Sequence, residues 1–403
     1  MTNKDYWKVV MLACGKSSDG TKIDWQQVVR KAKKEETLQI LYFGIWEKGN
    51  TDLLDMQLDK GMKEYTCKKA VKSFSQRVDL ERVLFAAEER GLKLVCFKGY
   101  VLAQTYPEWK TRISSDSDIF VYERDRKNAE QLLVDLGYRK DLKNSKSMVP
   151  VYVNKDRNHV IELHFSLWED YEGAQMEKLE AMRLTDEETL IPVQVGNASA
   201  WTLNPTNHLI FQMFHIIKHF AVQGIGTKYL FDTAFFVNAH RKSLDMEHFW
   251  KCMAQLHYSD FCVCWFALCV QYLNMDDSIL CGKELSDLEQ KKERLLDDLM
   301  EFTEKKEFDY KVIALMSPYL EGRESASGGT LSRKLALIFP KPDALQEDFD
   351  YAKRHHVLLP FAWVHKWSRF IKNRISGKSS SASAKLSEAD RRIAMMQDMN
   401  LFE

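Results

Sequence analysis

Glycine and proline are scarce in this chain. Its 403 residues include 17 Gly and 8 Pro, fewer than an average protein carries. Collagen-like and low-complexity segments are rich in these two residues, so their scarcity excludes a chain that is disordered or repetitive throughout. It also favours helices, which glycine and proline interrupt. The composition therefore predicts a folded and mainly helical protein.

Long hydrophobic runs are absent as well. No stretch approaches the roughly 18 consecutive apolar residues that a membrane-spanning helix needs. The opening MTNKDYWKVV contains no apolar segment typical of a secretory signal. From these two absences we expect a cytoplasmic protein.

Charge of one sign is not in excess, since 58 Lys and Arg residues balance 58 Asp and Glu residues. A global field that attracts nucleic acid or an anionic membrane is therefore excluded, and any such binding must be local. The eight cysteines show no paired two-residue spacing and lie mostly in apolar segments such as FCVCWFALCV. We expect them to be buried free thiols and not zinc ligands.

The hydrophobic pattern changes twice along the chain. At about 150 residues per domain, the length corresponds to two or three domains. Apolar residues recur at helical spacing up to about residue 90 and again from Asn204 onward, with short apolar runs and turns between. We predict an α+β fold, mainly helical overall, with a small mixed sheet. Its predicted parts are a helical region at 1–90, an α/β domain at 91–200, a helical domain at 201–375, and a Ser-rich linker with a short tail helix at 376–403.

The α/β segment has a readable order of elements. LKLVCF is predicted to be a strand that runs into a helix at Lys98 and Gly99, and SDIFVY to be a second strand. The amphipathic ERDRKNAEQLLVDLGY follows as a helix. MVPVYV and HVIELHFSL, separated by the turn-rich NKDRN, are predicted to form a hairpin, although Pro150 weakens the first of them as a strand.

Two of these strands carry carboxylates on one face. Alternate strand residues point the same way, so Asp116 and Asp118 share a face, as do Glu162 and His164. If the two strands are neighbours, Glu162 joins the aspartates. Carboxylates this close repel unless a divalent cation lies between them, and three of them can hold two metal ions for phosphoryl or nucleotidyl transfer. Oxygen-only ligands favour Mg²⁺ or Mn²⁺ over zinc.

Residues around this pattern suit a phosphate. Gly99 lets the backbone approach a ligand, the helix start that follows offers free N–H groups, and Lys98 adds a positive charge. Arg112 has two interpretations, a contact with a triphosphate or an ion pair with a surface carboxylate. Ser114 and Ser115 either hydrogen-bond a phosphate or shape the turn before the strand.

Together these segments resemble a known family. The run GLKLVCFKGYVLAQTYPEWKTRISSDSDIFV, the IELH strand, GIGTKYLFDTAFFV and LLPFAWVHKW follow the block order of an uncharacterised bacterial family of nucleotidyltransferases, in the superfamily related to DNA polymerase β. The resemblance spans residues from about 90 to 375 and implies a polymerase β-like nucleotidyltransferase domain. By this resemblance Asp116 and Asp118 match the metal-binding pair, Glu162 the third carboxylate, and Lys98 with Gly99 the phosphate loop. The wider superfamily usually has Gly-Ser or Gly-Gly at that loop.

Lys228 and Asp232 lie four residues apart in the family's helical block. Lys228 stands where the block more often has Arg, which turns a bidentate phosphate contact into a monodentate one. The pair either closes the nucleotide cleft from the helical domain or forms an ordinary helix salt bridge. His215 and His219 have the same spacing, but no HExxH glutamate lies between them, so we expect structural histidines and not zinc ligands.

The resemblance implies a metal-dependent enzyme that moves a nucleoside monophosphate from a nucleoside triphosphate to an acceptor and releases pyrophosphate, with Mg²⁺ or Mn²⁺ as cofactor. As acceptor we expect a small molecule or a protein in preference to nucleic acid. A second hypothesis is a nucleotide-binding or partner-docking protein without turnover, and a third is a helical scaffold whose aspartates form a solvated edge. The Trp-rich basic segment at 358–374 either touches membrane headgroups or RNA, or docks on the body as an amphipathic helix.

Overall fold

The computed structural model describes residues 4–16, 22–168, 176–301, 352, 358–364 and 382–401. Its helices are α1 (Lys4–Ala13), α2 (Trp25–Lys34), α3 (Leu38–Glu47), α4 (Met56–Glu89), α5 (Gly99–Ala103), α6 (Arg126–Asp135), α7 (Met176–Ala181), α8 (Pro205–Gln223), α9 (Lys228–His240), α10 (Met246–Gln255), α11 (Ser259–Leu273), α12 (Glu289–Glu301) and α13 (Ala382–Asp398). Its strands are β1 (Val95–Phe97), β2 (Ser117–Phe120), β3 (Arg139–Lys140), β4 (Val151–Asn154), β5 (His159–His164), β6 (Ile191–Val195) and β7 (Ala198–Thr202).

The N-terminal part is helical, as the sequence predicts. The longest helix there, α4, has 34 residues. It begins at a capping aspartate, since the Asp55 side chain accepts a hydrogen bond from the Leu58 N–H at 2.8 Å. It ends just before Gly91, whose φ of +65° suits glycine best. The polypeptide then turns directly into β1.

All seven strands form one mixed sheet in the order β3-β4-β5-β2-β1-β7-β6. The predicted hairpin is confirmed as the antiparallel pair β4 and β5. At the centre of the sheet, β2 runs parallel to β5 and antiparallel to β1. On its other side, β1 pairs in parallel with β7. The sheet thus occupies the segment predicted to be α/β. Strands β3, β6 and β7 are additions to the four that the sequence predicts.

Helices cover both faces of this sheet. On one face Ile119 and Ile161 belong to a buried cluster that includes Leu84 of α4 and Leu132 of α6. On the other face Phe97 and Phe120 belong to a larger cluster. Among the helices of the described ranges, only α6 contributes no residue to that cluster, and the members of the cluster run along the chain from Tyr6 to Leu401. The N-terminal and C-terminal helices therefore share one core.

The cysteines largely follow the prediction. All eight are free, and Cys96, Cys252, Cys262, Cys264 and Cys269 are buried. Burial raises the pKa of the Cys264 thiol to about 12, which leaves it unreactive at neutral pH. The prediction is wrong for two others, since Cys67 and Cys281 are exposed.

The last helix in the described ranges is α13 (Ala382–Asp398). It begins at Ala382, inside the segment predicted to be a Ser-rich linker, and it packs on α8. Arg392 fixes it there, because its Nη1 lies 2.9 Å from Asp298 Oδ2 of α12 and both side chains are buried. Most of the Trp-rich segment, residues 365–374, lies outside the described residues. No helix in the described ranges has the length and apolar content to cross a membrane.

His159 forms a buried polar link behind the central strands. Its Nε2 is hydrogen-bonded to Ser117 Oγ at 2.9 Å and its Nδ1 to the Tyr138 hydroxyl at 2.6 Å. Burial, which is the main cause, lowers its pKa from the usual 6.5 to about 4. The ring is therefore neutral in the folded protein at pH 7.

We expect this histidine to destabilise the protein in mild acid. Between pH 6.5 and 4 the unfolded chain binds a proton at His159 that the folded chain does not, so stability is full above 6.5 and falls as the pH drops. The loss reaches about 2 kcal/mol at pH 5. Urea unfolding at pH 7 and pH 5 measures it. In His159→Gln, which does not titrate, the difference between the two pH values should shrink by this amount, and an unchanged difference would contradict the assignment.

Candidate functional site

The candidate site lies where β2 and β5 run side by side. Their register places Asp118 opposite Glu162 and Phe120 opposite His164. The alternating residues Ile119 and Leu163 are buried among the helices on the far side. The condition for a shared carboxylate cluster, that the two strands be neighbours, is therefore met.

Three side chains meet at this point. One ligand atom each from Asp118, Glu162 and His164 lies within 4.8 Å of the other two. His164 Nε2 is 3.2 Å from Asp118 Oδ1 and 3.7 Å from Glu162 Oε2. Burial alone would lower the pKa of His164, but the hydrogen bonds to Asp118 and Glu162 outweigh it and raise that pKa. The donor set, two carboxylates and an imidazole, fits a divalent cation.

Asp116 stands beside this trio and precedes the first residue of β2. Its Oδ1 accepts a hydrogen bond from Ser114 Oγ at 3.3 Å. Burial, and then the charges of Asp118 and Glu162, raise the pKa of Asp116 to about 6. A cation at this point would relieve the repulsion that raises it. The sequence anticipated three carboxylates, whereas the tight trio contains His164, which shares a face with Glu162.

Lys98 brings a positive charge into direct contact with the trio. Its Nζ lies 3.0 Å from Asp118 Oδ1. Burial would lower the pKa of Lys98, but Asp118 and Glu162 raise it above its usual value. Burial would likewise raise the pKa of Asp118, yet Lys98 and His164 hold it well below its usual range. The lysine was predicted to face a phosphate, and here it neutralises a carboxylate.

The backbone at Lys98 is held in an uncommon conformation. Its φ is +52°, a value that residues other than glycine and asparagine seldom adopt. Its N–H donates a hydrogen bond to His208 Nε2 of α8 at 3.3 Å. Such strain persists where the surroundings fix the backbone, and it is concentrated at functional sites.

Arg112 and Asp232 form a buried ion pair that holds Gly99, the residue after Lys98; we call this pair the clamp. Arg112 Nε and Nη2 donate to the two oxygens of Asp232 at 2.7 and 3.0 Å. Arg112 Nη1 donates to the Gly99 carbonyl at 2.9 Å, and the Tyr106 hydroxyl donates to Asp232 Oδ1 at 2.6 Å. The ion pair that was predicted as a surface alternative is thus internal. It ties α9 to the start of α5.

The helix salt bridge, one of the two interpretations of Lys228 and Asp232, is wrong. Asp232 is engaged by Arg112, and Lys228 Nζ instead lies 3.0 Å from Glu36 Oε2. Glu36 and Arg112 are distant in sequence from Lys228 and Asp232, so these ion pairs form only once the chain has folded. Lys228 is half-buried and Ser115 is exposed. Ser115 lies in the turn just before Asp116.

His215 and His219 belong to a cluster of rings. Their rings are 4.3 Å apart, and the Tyr229 ring lies 6.1 Å from the first and 5.8 Å from the second. Burial, more than the nearby positive charge of Lys98, lowers the pKa of His215 well below its usual value. Within the described ranges no third ligand completes a metal-binding group with them.

Comparison with known protein families gives one result that fits this geometry. The sequence profile of a family described as "Uncharacterised nucleotidyltransferase" matches residues 21–274, more than half of the chain. The chain belongs to this family. The matched range includes the whole sheet and every residue of the candidate site, so membership supports transferase activity in general. No curated protein and no solved structure matches this nucleotidyltransferase.

Proposed function

We propose that this nucleotidyltransferase has a polymerase β-like catalytic domain and transfers a nucleoside monophosphate from a nucleoside triphosphate to an acceptor, with release of pyrophosphate. The observation that carries the proposal is the register of β2 and β5, which sets Asp118 against Glu162 with Asp116 beside them. Two carboxylates on adjacent central strands, partly buried and within reach of a third, have little stabilising value for the fold itself.

Asp116, Asp118, Glu162 and His164 would hold the metal, for which we propose Mg²⁺ or Mn²⁺. When bound, such a cation lowers the pKa of an acceptor hydroxyl and offsets the charge of the triphosphate. An imidazole ligand shifts the preference of the site toward Mn²⁺.

The protein's own cations would act on the phosphates. The ammonium of Lys98 is within reach of anything bound at Asp118 and can stabilise charge that develops on the leaving pyrophosphate. The Gly99 backbone, held by Arg112, would contact the phosphates directly. Lys228 and Ser115 would extend the phosphate site on its open side. In this proposal Arg112 and Asp232 act through Gly99.

One observation favours the second hypothesis, a protein that binds nucleotide without turnover. Lys98 already neutralises Asp118 through a 3.0 Å ion pair. If this pair persists when nucleotide binds, the carboxylate is not available to a metal. Binding and turnover therefore have to be measured separately.

We expect metal-dependent nucleotide binding. In thermal unfolding with ATP, GTP, CTP or UTP and Mg²⁺, Mn²⁺ or EDTA, at least one nucleotide should raise the midpoint with metal and not with EDTA. A ligand at a hundred times its Kd stabilises the folded state by about 2.7 kcal/mol. Asp116→Asn should lose the rise. Asp135→Asn, which removes an exposed carboxylate of α6 paired with Arg90, should keep it.

Turnover is tested with the same proteins and nucleotide labelled at the α-phosphate. Label transferred to the protein or to a small-molecule extract, with pyrophosphate released, establishes the enzyme. Binding without transfer to either supports the second hypothesis, and no binding of any nucleotide supports the scaffold.

A further inference from the structure

The middle of α8 carries a single stripe of polar residues. Most of its side chains are fully buried in the large cluster, among them Leu209, Ile210, Met213, Ile216 and Ile217. Four polar side chains of this helix recur at intervals of four, three and four residues, so they lie on one side of it. They are His208 and Gln212, which are buried, and His215 and His219, which are half-buried.

This side of α8 begins at the candidate site. His208 accepts the hydrogen bond from the Lys98 N–H. The ring of Phe211, next to Gln212, lies 5.5 Å from Lys98 Nζ and 5.1 Å from the ring of Phe97. The Phe97 ring in turn lies 5.0 Å from that of His164. These contacts connect the stripe to the trio of Asp118, Glu162 and His164.

Gln212 is the residue of the stripe that the fold does not explain. It is 5% exposed, and neither its amide nitrogen nor its amide oxygen has a hydrogen-bond partner among the described residues. A buried polar group left unpaired destabilises a protein by about 1–3 kcal/mol. An amide with a free donor and a free acceptor, one turn from a residue that contacts Lys98, indicates a ligand that supplies both partners.

Rings continue the stripe beyond Gln212. His215 and His219 pack edge to face, and Tyr229, which follows Lys228 on α9, lies against both. The His215 ring also stacks on Phe211, with centroids 6.1 Å apart. The rings form a contiguous aromatic cluster on this side of α8, a chemistry suited to a neutral planar group.

We propose that the polar stripe of α8, with Gln212 at its centre, is the subsite that binds the nucleobase of the donor nucleotide, and that the Gln212 amide reads the edge of the base. This rests on the proposed function. The donor of a nucleotidyl transfer always carries a planar heteroaromatic group, whereas the acceptor need not. A nucleobase with adjacent donor and acceptor groups can form two hydrogen bonds with a side-chain amide. Aromatic side chains stack on the face of the base.

The test compares base preference with binding of a ligand that has no base. Dissociation constants are measured with Mn²⁺ for ATP, GTP, CTP, UTP and inorganic tripolyphosphate, in the wild type and in Gln212→Met. Methionine keeps the length of the side chain and removes the unpaired amide, so folding should be retained. We expect the wild type to prefer one base, and the variant to bind that nucleotide roughly tenfold to a hundredfold more weakly. Tripolyphosphate binding should not change.

Two further variants sharpen the result. Gln212→Glu has acceptors only, so it should change the order of the four bases and not merely weaken all of them. Gln397→Met is the matched control, because Gln397 on α13 also has an unpartnered amide nitrogen among the described residues; it should keep the wild-type order.

The outcomes separate the two proposals. Equal binding of all four nucleotides by the wild type, or an unchanged preference in both Gln212 variants, overturns the nucleobase subsite and leaves the metal and phosphate site intact. Failure of the wild type to bind any nucleotide or tripolyphosphate overturns the proposed function, and the subsite with it.

Discussion

Replacing Asp118 with asparagine is expected to reduce metal-dependent pyrophosphate release by on the order of a thousandfold, the size of effect seen when a major electrostatic contact to a transition state is lost. Asp118 lies at the centre of the site, because its carboxylate contacts both Lys98 and His164 and lies opposite Glu162 on the neighbouring strand. Asparagine keeps the shape and one oxygen but not the charge. Steady-state release of pyrophosphate from the preferred nucleotide measures the loss.

The control must separate chemistry from stability, because the variant leaves a buried lysine without its counter-ion. Asp79 offers a match: it is buried on α4 and its Oδ1 lies 2.7 Å from Arg157 Nη1, outside the site. Asp79→Asn should lower the free energy of unfolding and retain turnover per folded molecule. Normal turnover in Asp118→Asn would remove this carboxylate from the mechanism.

Replacing Asp232 with alanine is expected to lower the free energy of unfolding by about 3–5 kcal/mol. The change leaves the Arg112 guanidinium buried and unpaired and the Tyr106 hydroxyl without its acceptor. It also frees the Arg112 guanidinium, which donates to the Gly99 carbonyl, so tripolyphosphate with Mn²⁺ should bind more weakly. Urea unfolding and the binding assay measure the two effects.

A surface ion pair provides the comparison. Arg241 Nη1 lies 3.0 Å from Asp276 Oδ2, with the arginine more than half exposed. Asp276→Ala removes this pair and the cap that Asp276 provides to the Ser278 N–H, but it leaves no buried charge unpaired, so it should destabilise the protein less than Asp232→Ala and leave tripolyphosphate binding unchanged. Asp232→Asn, which retains a hydrogen-bond acceptor for Arg112, should lose less of both. If Asp232→Ala binds tripolyphosphate as tightly as the wild type, the clamp has no part in positioning Gly99.

Local patterns predicted the centre of the fold well. Alternation along SDIFVY and HVIELHFSL assigned Ile119 and Leu163 to one face and Asp118 with Glu162 to the other, because side-chain direction on a strand depends on nothing but parity. The β6 and β7 hairpin escaped prediction, although a signal was present. Gly196 and Asn197 form a two-residue turn between IPVQV and ASAWT, and this dipeptide is a hairpin signal.

Long-range partners could not be predicted in the same way. Spacing paired Lys228 with Asp232, but their partners are Glu36, 192 residues away, and Arg112, 120 residues away. Lys98 was expected at a phosphate and contacts Asp118 because β1 and β2 are antiparallel neighbours. Which charges meet depends on topology, and a single sequence states topology only indirectly.

The shared core has a consequence for how the protein is made on the ribosome. Trp7 of α1 packs against Tyr272 at the end of α11, with ring centroids 4.5 Å apart, and β1 pairs in parallel with β7 through Val95 and Trp201. At synthesis rates of about 5–20 residues per second, Trp7 waits roughly 13–50 seconds for its partner. During that interval the nascent N-terminal helices expose apolar surface that the later helices cover in the folded protein, and such surface favours aggregation.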